Sequence, residues 1–287
     1  MSLYRSWMFV PGNNERRMEK VKELSPDVII YDLEDAVALS EKEKARLMVR
    51  SAIEHNRERF NVVRVNGQST SYFIGDLTEL IVEGLSGVLL PKASKAEDII
   101  TLDALITQLE QKRQLLVGLI EIIPLIESAE GVYFAYHIAQ SSPRVKRLAF
   151  GSVDYTLDIN AELTKEGTEI LFARSQLVLQ SKAAGIESPI DAVYIDIMDQ
   201  AGLLRDTKLA RQLGFQGKLV VHPDQIGIVN DVFTPTQAEI KEAQAVIAAF
   251  DEAVHSGIAA IQLGGKMIDY PVAARARSLV EKAEQLS

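Results

Sequence analysis

Residues 115–128 read LLVGLIEIIPLIES, a run of Val, Ile and Leu that stops at a carboxylate, Glu127. A half-exposed strand alternates apolar with polar side chains, and this one does not. It suits a strand buried on both faces, the condition of a parallel sheet covered by helices. Seven further runs of the same kind flank it: SWMFVPG from Ser6, DVIIYDLED from Asp27, NVVRVNG from Asn61, SGVLLPK from Ser86, RLAFGSVDYT from Arg147, SPIDAVYIDI from Ser188 and GKLVVHP from Gly217.

The segments between them are periodic and charged, as helices on a sheet surface are. Helices are predicted over 13–24 and 40–57, the second opening on a Ser-x-x-Glu capping box at Ser40 and Glu43. Another is predicted over 167–185, with Leu171, Phe172, Leu177 and Val178 as its apolar stripe and Gly185 as its terminator. Strand and helix alternating eight times make either a closed barrel or a doubly wound sheet. No glycine-rich dinucleotide fingerprint accompanies the first strands, so the α/β fold expected is a (β/α)8 TIM barrel. It is assigned residues 1–230. Residues 231–287 form a C-terminal helical extension, with a helix over 236–255, the GGKMID loop and a last helix starting near Pro271, to be packed on a barrel of the same or a neighbouring subunit.

Composition narrows the chemistry. The 287 residues contain no cysteine, which removes disulfides, thiolate nucleophiles and sulfur-bound zinc. A net charge of −9 argues against nucleic acid and acidic membrane surfaces as partners. No apolar run approaches the roughly 18 residues of a membrane span, and no secretory signal is evident, so a cytoplasmic setting is expected. Four histidines leave little scope for an imidazole-rich metal site.

Barrel enzymes carry their sites at the C-terminal ends of the strands. The polar residues there are Asn13, Asn14, Asp32, Glu34, Asp35, Arg64, Asn66, Lys92, Glu127, Asp154, Asp196 and His222. Many carboxylates around an arginine and a lysine, without a Ser-His-Asp order, favour a hard cation, Mg2+ or Mn2+. Blander roles stand beside each residue. Glu127 and Asp154 suit the N-terminus of a following helix as well as a metal. Arg64 suits an ion pair with Glu34 or Asp35 as well as a bound carboxylate. Lys92 reads equally as an ion-pair partner and a ligand contact. His222 reads as a core histidine and Asp158 as a helix-turn group. The run Arg16, Arg17, Lys20 and Lys22 is a solvated helix face or, beside Asn13 and Asn14, a phosphate seat.

FVPGNN from Phe9, YDLEDAV from Tyr31, VRVNG from Val63, LLPK from Leu89, IESAEG from Ile126 and FGSVDYTLD from Phe150 follow one another in a familiar order. So do TKEGTEILFARSQLVLQSKAAGI from Thr164, GKLVVHPDQI from Gly217 and GGKMIDYPV from Gly264. Together they resemble the citrate lyase beta subunit-like proteins of the HpcH/HpaI aldolase and malyl-CoA lyase superfamily. The likeness spans about Arg5 to Arg275.

The resemblance implies a magnesium-dependent carbon–carbon lyase. It would cleave or form a 3-hydroxyacyl thioester of the malyl-, citramalyl- or citryl-CoA type, yielding an α-keto acid and an acyl-CoA. It implies Glu127 and Asp154 as metal ligands, Arg64 on the keto-acid end and Asp269 as acid/base presented to a neighbouring subunit. It also implies Asn13 and Arg16 near the coenzyme A phosphates, with Glu34, Asp35 and Lys92 beside the substrate, and a homo-oligomer, trimeric or hexameric. Alternatives within the superfamily are a subunit acting on an acyl-carrier-protein thioester inside a citrate lyase complex and an aldolase for free pyruvate-type substrates. Outside catalysis, the alternative is an idle coenzyme-A-binding barrel. One departure is visible. The family pattern Asp-x-x-x-Asp-Leu-Gly here ends in Asn160 instead of glycine, which bears on the shape of that loop.

Overall fold

The computed structural model describes residues 4–286. Its first eight strands are β1 (Ser6–Pro11), β2 (Val28–Asp32), β3 (Phe60–Arg64), β4 (Leu85–Leu90), β5 (Glu121–Ile126), β6 (Ala149–Phe150), β7 (Ile190–Asp191) and β8 (Gly217–Val220). They pair in parallel in chain order, and β8 returns to β1, so the sheet closes into a (β/α)8 barrel. All eight runs read from the sequence are strands, although β6 and β7 are only two residues long.

The two-residue period of a strand decides what faces the barrel axis. Trp7, Val28, Ile30, Val62, Leu89, Ile123, Leu125, Ala149, Ile190 and Leu219 form the core inside it. Counting on by two from Ile30, Val62 and Leu125 reaches Asp32, Arg64 and Glu127. The same phase that fills the core with hydrocarbon therefore turns those polar residues inward at its C-terminal rim.

The helices of this part are α1 (Glu15–Glu23), α2 (Lys42–Glu54), α3 (Phe73–Leu80), α4 (Ala96–Lys112), α5 (Ala129–Gln140), α6 (Ser152–Asp158), α7 (Thr168–Ala183), α8 (Gln200–Leu213) and α9 (Pro223–Phe233). Two local expectations are corrected. The capping box at Ser40 and Glu43 does not form: residues Leu39–Glu41 make a 3-10 turn and α2 starts at Lys42 without a side-chain cap. The Lys42 ammonium is buried and donates to the carbonyls of Leu33 and Glu34, both at 2.6 Å, which ties the helix start to the loop after β2. In α7 the buried face is Ile170, Ala173, Arg174, Leu177 and Ser181, so Leu171 and Phe172 point outward. Its end is as read, with Gly185 at φ +76°.

The reason α7 buries an arginine lies behind the last two strands. Arg174 donates from Nε and Nη2 to Asp191, both at 2.9 Å, and Nη2 lies 2.8 Å from Asp206. Lys218, beside Asp191 in the β7–β8 register, bonds both aspartates. Ile190 and Leu219 face the axis, so Asp191 and Lys218 face the helices. Two cations and two anions thus neutralise one another between sheet and helix, where any one alone would be costly.

The chain divides into two compact units, one of them Tyr4–Asn230 and the other running from Asp231 through the C-terminal segment. The second holds α10 (Gln237–His255), an antiparallel hairpin of β9 (Ile261–Leu263) and β10 (Lys266–Ile268), and α11 (Tyr270–Glu284). A capping box does form here, with Thr236 and Glu239 bonding each other's backbone N–H. The hairpin, absent from the sequence reading, turns on Gly264 and Gly265 at φ +54° and +80°, which is the two-glycine route to a tight turn. Phe250, Ile268 and Ala273 form this unit's own small core. Among the described residues no helix is long and apolar enough to cross a membrane.

Candidate active site

A cavity of about 630 Å³ opens at the C-terminal rim of the barrel. Its floor is apolar, from Phe9, Leu125, Phe150 and Leu219 among others, and its rim carries Asp32, Asp35, Arg64, Glu127 and Asp154.

Glu127 follows β5 and is 4% exposed. Its Oε1 accepts the backbone N–H of Lys92 at 2.8 Å. Lys92 holds a left-handed backbone, φ +55°, uncommon for a residue with a side chain and frequent at functional sites. On the other side stands Gly151: a Cβ there would lie 2.5 Å from Glu127 Oε2 and 2.7 Å from its Cβ. The carboxylate is thus seated between one donor and one missing side chain. Asp154, in the first turn of α6, faces the same cavity.

The electrostatics of the pair are unbalanced. Burial raises the Glu127 pKa most, the Asp154 and Glu34 charges raise it further, and the Lys92 N–H and Arg64 oppose them only in part, leaving it at about 8. Among the described residues neither Glu127 nor Asp154 has an ion-pair partner. Two uncompensated carboxylates at a cavity rim, both hard oxygen donors, fit a divalent cation such as Mg2+. Among the described residues no cluster of three or more His, Cys, Asp and Glu could hold a metal by itself. Glu127 and Asp154 could supply two ligands to such an ion, leaving its other positions to substrate and water.

Arg64 ends β3 and makes the expected ion pairs with Glu34 and Asp35, but a third acid holds it more closely. Its main partner is Asp32, bonded side-on through Nε at 2.7 Å and Nη2 at 2.6 Å. Glu34 and Asp35, the partners anticipated, face only Nη1, at 3.1 and 3.5 Å. The guanidinium lies 4.9 Å over the Phe9 ring. The sequence held a signal for this: β2 and β3 are both five residues long, and Asp32 and Arg64 are register neighbours at their ends. Glu34 is raised above the ordinary carboxyl range by burial, against the pull of Arg64. Lys92 Nζ pairs with Glu34 at 3.2 Å.

The remaining candidates spread out. Asn13 donates to Glu41. Arg17 and Lys20 of α1 line the cavity, whereas Arg16, in the same basic run, does not. His222 also lines it. Asp158 accepts the backbone N–H of Ala129 at 2.8 Å, at the start of α5, rather than bonding within its own helix turn. Asn160 sits at φ +56°. The position where the family carries glycine is thus a left-handed one, and asparagine is among the residues that tolerate it. Asp269 belongs to the second unit, where it caps α11 by accepting the Val272 N–H at 3.2 Å.

The seat of Glu127 gives a first expectation. Gly151→Ala should displace the Glu127 carboxylate and, because the new methyl also meets Glu127 Cβ, shift the chain at the end of β5, so folding is checked first by thermal melting. Magnesium affinity, measured by calorimetry, should drop at least about tenfold, within the range for groups that orient metal ligands. An unchanged affinity would show that Glu127 needs no such seat.

Comparison with known proteins converges on one group. The profile of the HpcH/HpaI aldolase/citrate lyase family matches residues 5–223, and that of a C–C bond lyase of the TIM-barrel fold matches residues 170–286. The chain is 38% identical to citrate lyase subunit beta of Haemophilus influenzae over 99% of its length and 98% of that protein. It is 33% identical to mitochondrial citramalyl-CoA lyase of Rattus norvegicus, covering 98% and 86% of the two chains. The crystal structure of CitE from Mycobacterium tuberculosis with magnesium, acetoacetate and coenzyme A superposes with a TM-score of 0.81 at 29% identity, over 98% of both chains.

Proposed function

The chain belongs to the HpcH/HpaI aldolase/citrate lyase family, and from that premise we propose that it is a magnesium-dependent lyase. It cleaves, or in reverse forms, a 3-hydroxyacyl thioester of coenzyme A, giving an α-keto acid and an acyl-CoA. The observation that carries the reading is the pair Glu127 and Asp154, uncompensated carboxylates beside Arg64 in a barrel-mouth cavity.

In cleavage, the 3-hydroxyl loses its proton and becomes the keto oxygen. The electron pair of the carbon–carbon bond passes to the thioester enolate, and a proton returns to its α-carbon. Glu127 and Asp154 would hold the metal, which supplies Lewis acidity to the oxygens of the keto-acid half. Arg64 presents fixed N–H donors to the same half, and a donor already in place needs no reorganisation as charge develops. The apolar floor keeps water from the enolate. Asp269 moves the proton at the α-carbon, and we assign it to the barrel mouth of a neighbouring copy. Asn13, Arg16, Glu34, Asp35 and Lys92 remain proposed contacts for the thioester, with Arg17 and Lys20 added because they line the cavity.

A cytoplasmic homo-oligomer, a trimer or hexamer, is part of the same proposal. The barrel unit supports association by exposing Tyr133, Leu157, Phe172 and Leu179 on α5, α6 and α7.

The decisive assay is turnover of malyl-, citramalyl- and citryl-CoA with Mg2+ and with chelator; no turnover of any with Mg2+ would refute the reading. The likeness to citrate lyase beta subunits favours a second arm with acyl-carrier-protein thioesters and a search for co-purifying subunits. Asp269→Asn is a clean probe of the acid/base, because asparagine caps a helix as well as aspartate does. Folding should be unchanged by thermal melting, and turnover should fall ~10²–10⁴-fold. Full activity in this variant would remove Asp269 from the chemistry.

A further inference from the structure

Asp32 closes β2 and is nearly inaccessible, its side chain 3% exposed. Each of its oxygens is taken twice. Oδ1 accepts from Arg64 Nε at 2.7 Å and from the Glu34 backbone N–H at 2.9 Å. Oδ2 accepts from Arg64 Nη2 at 2.6 Å and from the Ala36 N–H at 3.3 Å. A carboxylate offers roughly four lone-pair sites, and the protein's own donors take all four of them here. Its chemistry is spent on holding other groups still.

The grip is on one edge of the guanidinium, Nε and Nη2. It leaves the Nη1–Nη2 edge, whose parallel N–H bonds match a second carboxylate. The guanidinium carbon also lies over the Phe9 ring, 4.9 Å from its centroid, a cation–π contact. That edge is faced by two other acids, Glu34 at 3.1 Å and the more exposed Asp35 at 3.5 Å from Nη1, which a ligand carboxylate would displace. Without an anchor on its far edge, Arg64 would be held by these two acids alone, on the edge a ligand needs.

We propose that Asp32 is a positioning residue for the reaction: by holding Arg64 from one side, it fixes the orientation in which the opposite edge of the guanidinium exchanges Glu34 and Asp35 for the carboxylate of the keto-acid half. This rests on the reading that Arg64 binds that carboxylate. It also separates the three acids after β2 by task, since Asp32 orients the arginine while Glu34 and Asp35 bound the space into which the ligand fits.

The test is calorimetric binding of pyruvate and of oxaloacetate, each with saturating Mg2+, to the full chain, Asp32→Asn, Arg64→Lys and the double variant, with KM and kcat for thioester cleavage alongside. Asp32→Asn should weaken keto-acid binding ~10–100-fold, the range for partners that orient a site residue. It should raise KM more than it lowers kcat and change Mg2+ affinity by less than about twofold. The double variant should bind no more weakly than Arg64→Lys alone, because both remove one interaction. Keto-acid binding within about twofold of the parent, or losses that multiply, would overturn the proposal. Failure of the parent chain to bind either keto acid would instead bring down the functional reading, and this inference with it. If Asp32→Asn does not fold, Asp32→Glu keeps the charge but pushes the guanidinium outward; it should show the same weakening, and parent-like binding by that variant overturns the proposal equally.

Discussion

Glu127→Gln is expected to abolish magnesium-dependent cleavage while making the metal-free chain harder to unfold. The activity loss should be at least ~10²-fold, since the variant removes one of the two proposed metal ligands and with it the Lewis acidity the ion would supply. The stability gain follows from the position of the carboxyl, whose pKa is raised from 4.5 to about 8 when folded. In the unfolded chain the proton leaves near 4.5; in the fold it stays until about 8. Across that window the unfolded state binds fewer protons, so the metal-free parent loses stability as pH rises from about 4.5 to about 8. The glutamine variant carries no such charge and should lose less.

The difference in melting temperature should therefore be small at pH 5 and largest near pH 8. Mg2+ should close it by stabilising the parent alone, with proton release on binding at pH 7. Equal melting temperatures at pH 5 and 8, or retained turnover, would show that Glu127 is neither strained nor a ligand.

Arg64→Lys should produce the second large effect. Lysine keeps the charge but cannot span both oxygens of Asp32 and still offer paired donors to a ligand. We expect kcat/KM to fall ~10²-fold or more, a loss of about 2.7 kcal/mol of transition-state stabilisation. Stability should fall by ~1–3 kcal/mol, as for a buried hydrogen-bonded group left part-satisfied. Arg64→Ala should be worse in folding, by ~3–5 kcal/mol, because Asp32 and Glu34 would stay buried without their cation. Parent-like kinetics in the lysine variant would mean that the arginine serves only to neutralise its neighbours.

The rim of the site was legible because one rule generates it. Strands buried on both faces and a period of two place Asp32, Arg64 and Glu127 on the inward phase at the strand ends. What local patterns left open was choice among equals. Three acids follow β2, and only the pairing of strand ends selects Asp32 for Arg64. Four basic residues mark the first helix, and its rotation about its axis sends Arg17 and Lys20, not Arg16, to the cavity. Gly151 carries no side chain to suggest a role, yet the space it leaves seats Glu127. The outward turn of Phe172 was hidden by Arg174, a residue that polarity alone would put in solvent.

That arginine and its three partners bear on how the chain reaches its native state. Arg174 precedes Asp191 and Asp206 in the chain, and Lys218 comes last. Until residue 218 is available the other three carry a net negative charge that the interior cannot accept. The final quarter of the cylinder should therefore zip up as one event late in synthesis, with intermediates that stop short of β8 left open along that seam. Variants of any one of the four should populate such open forms together, whichever member is changed.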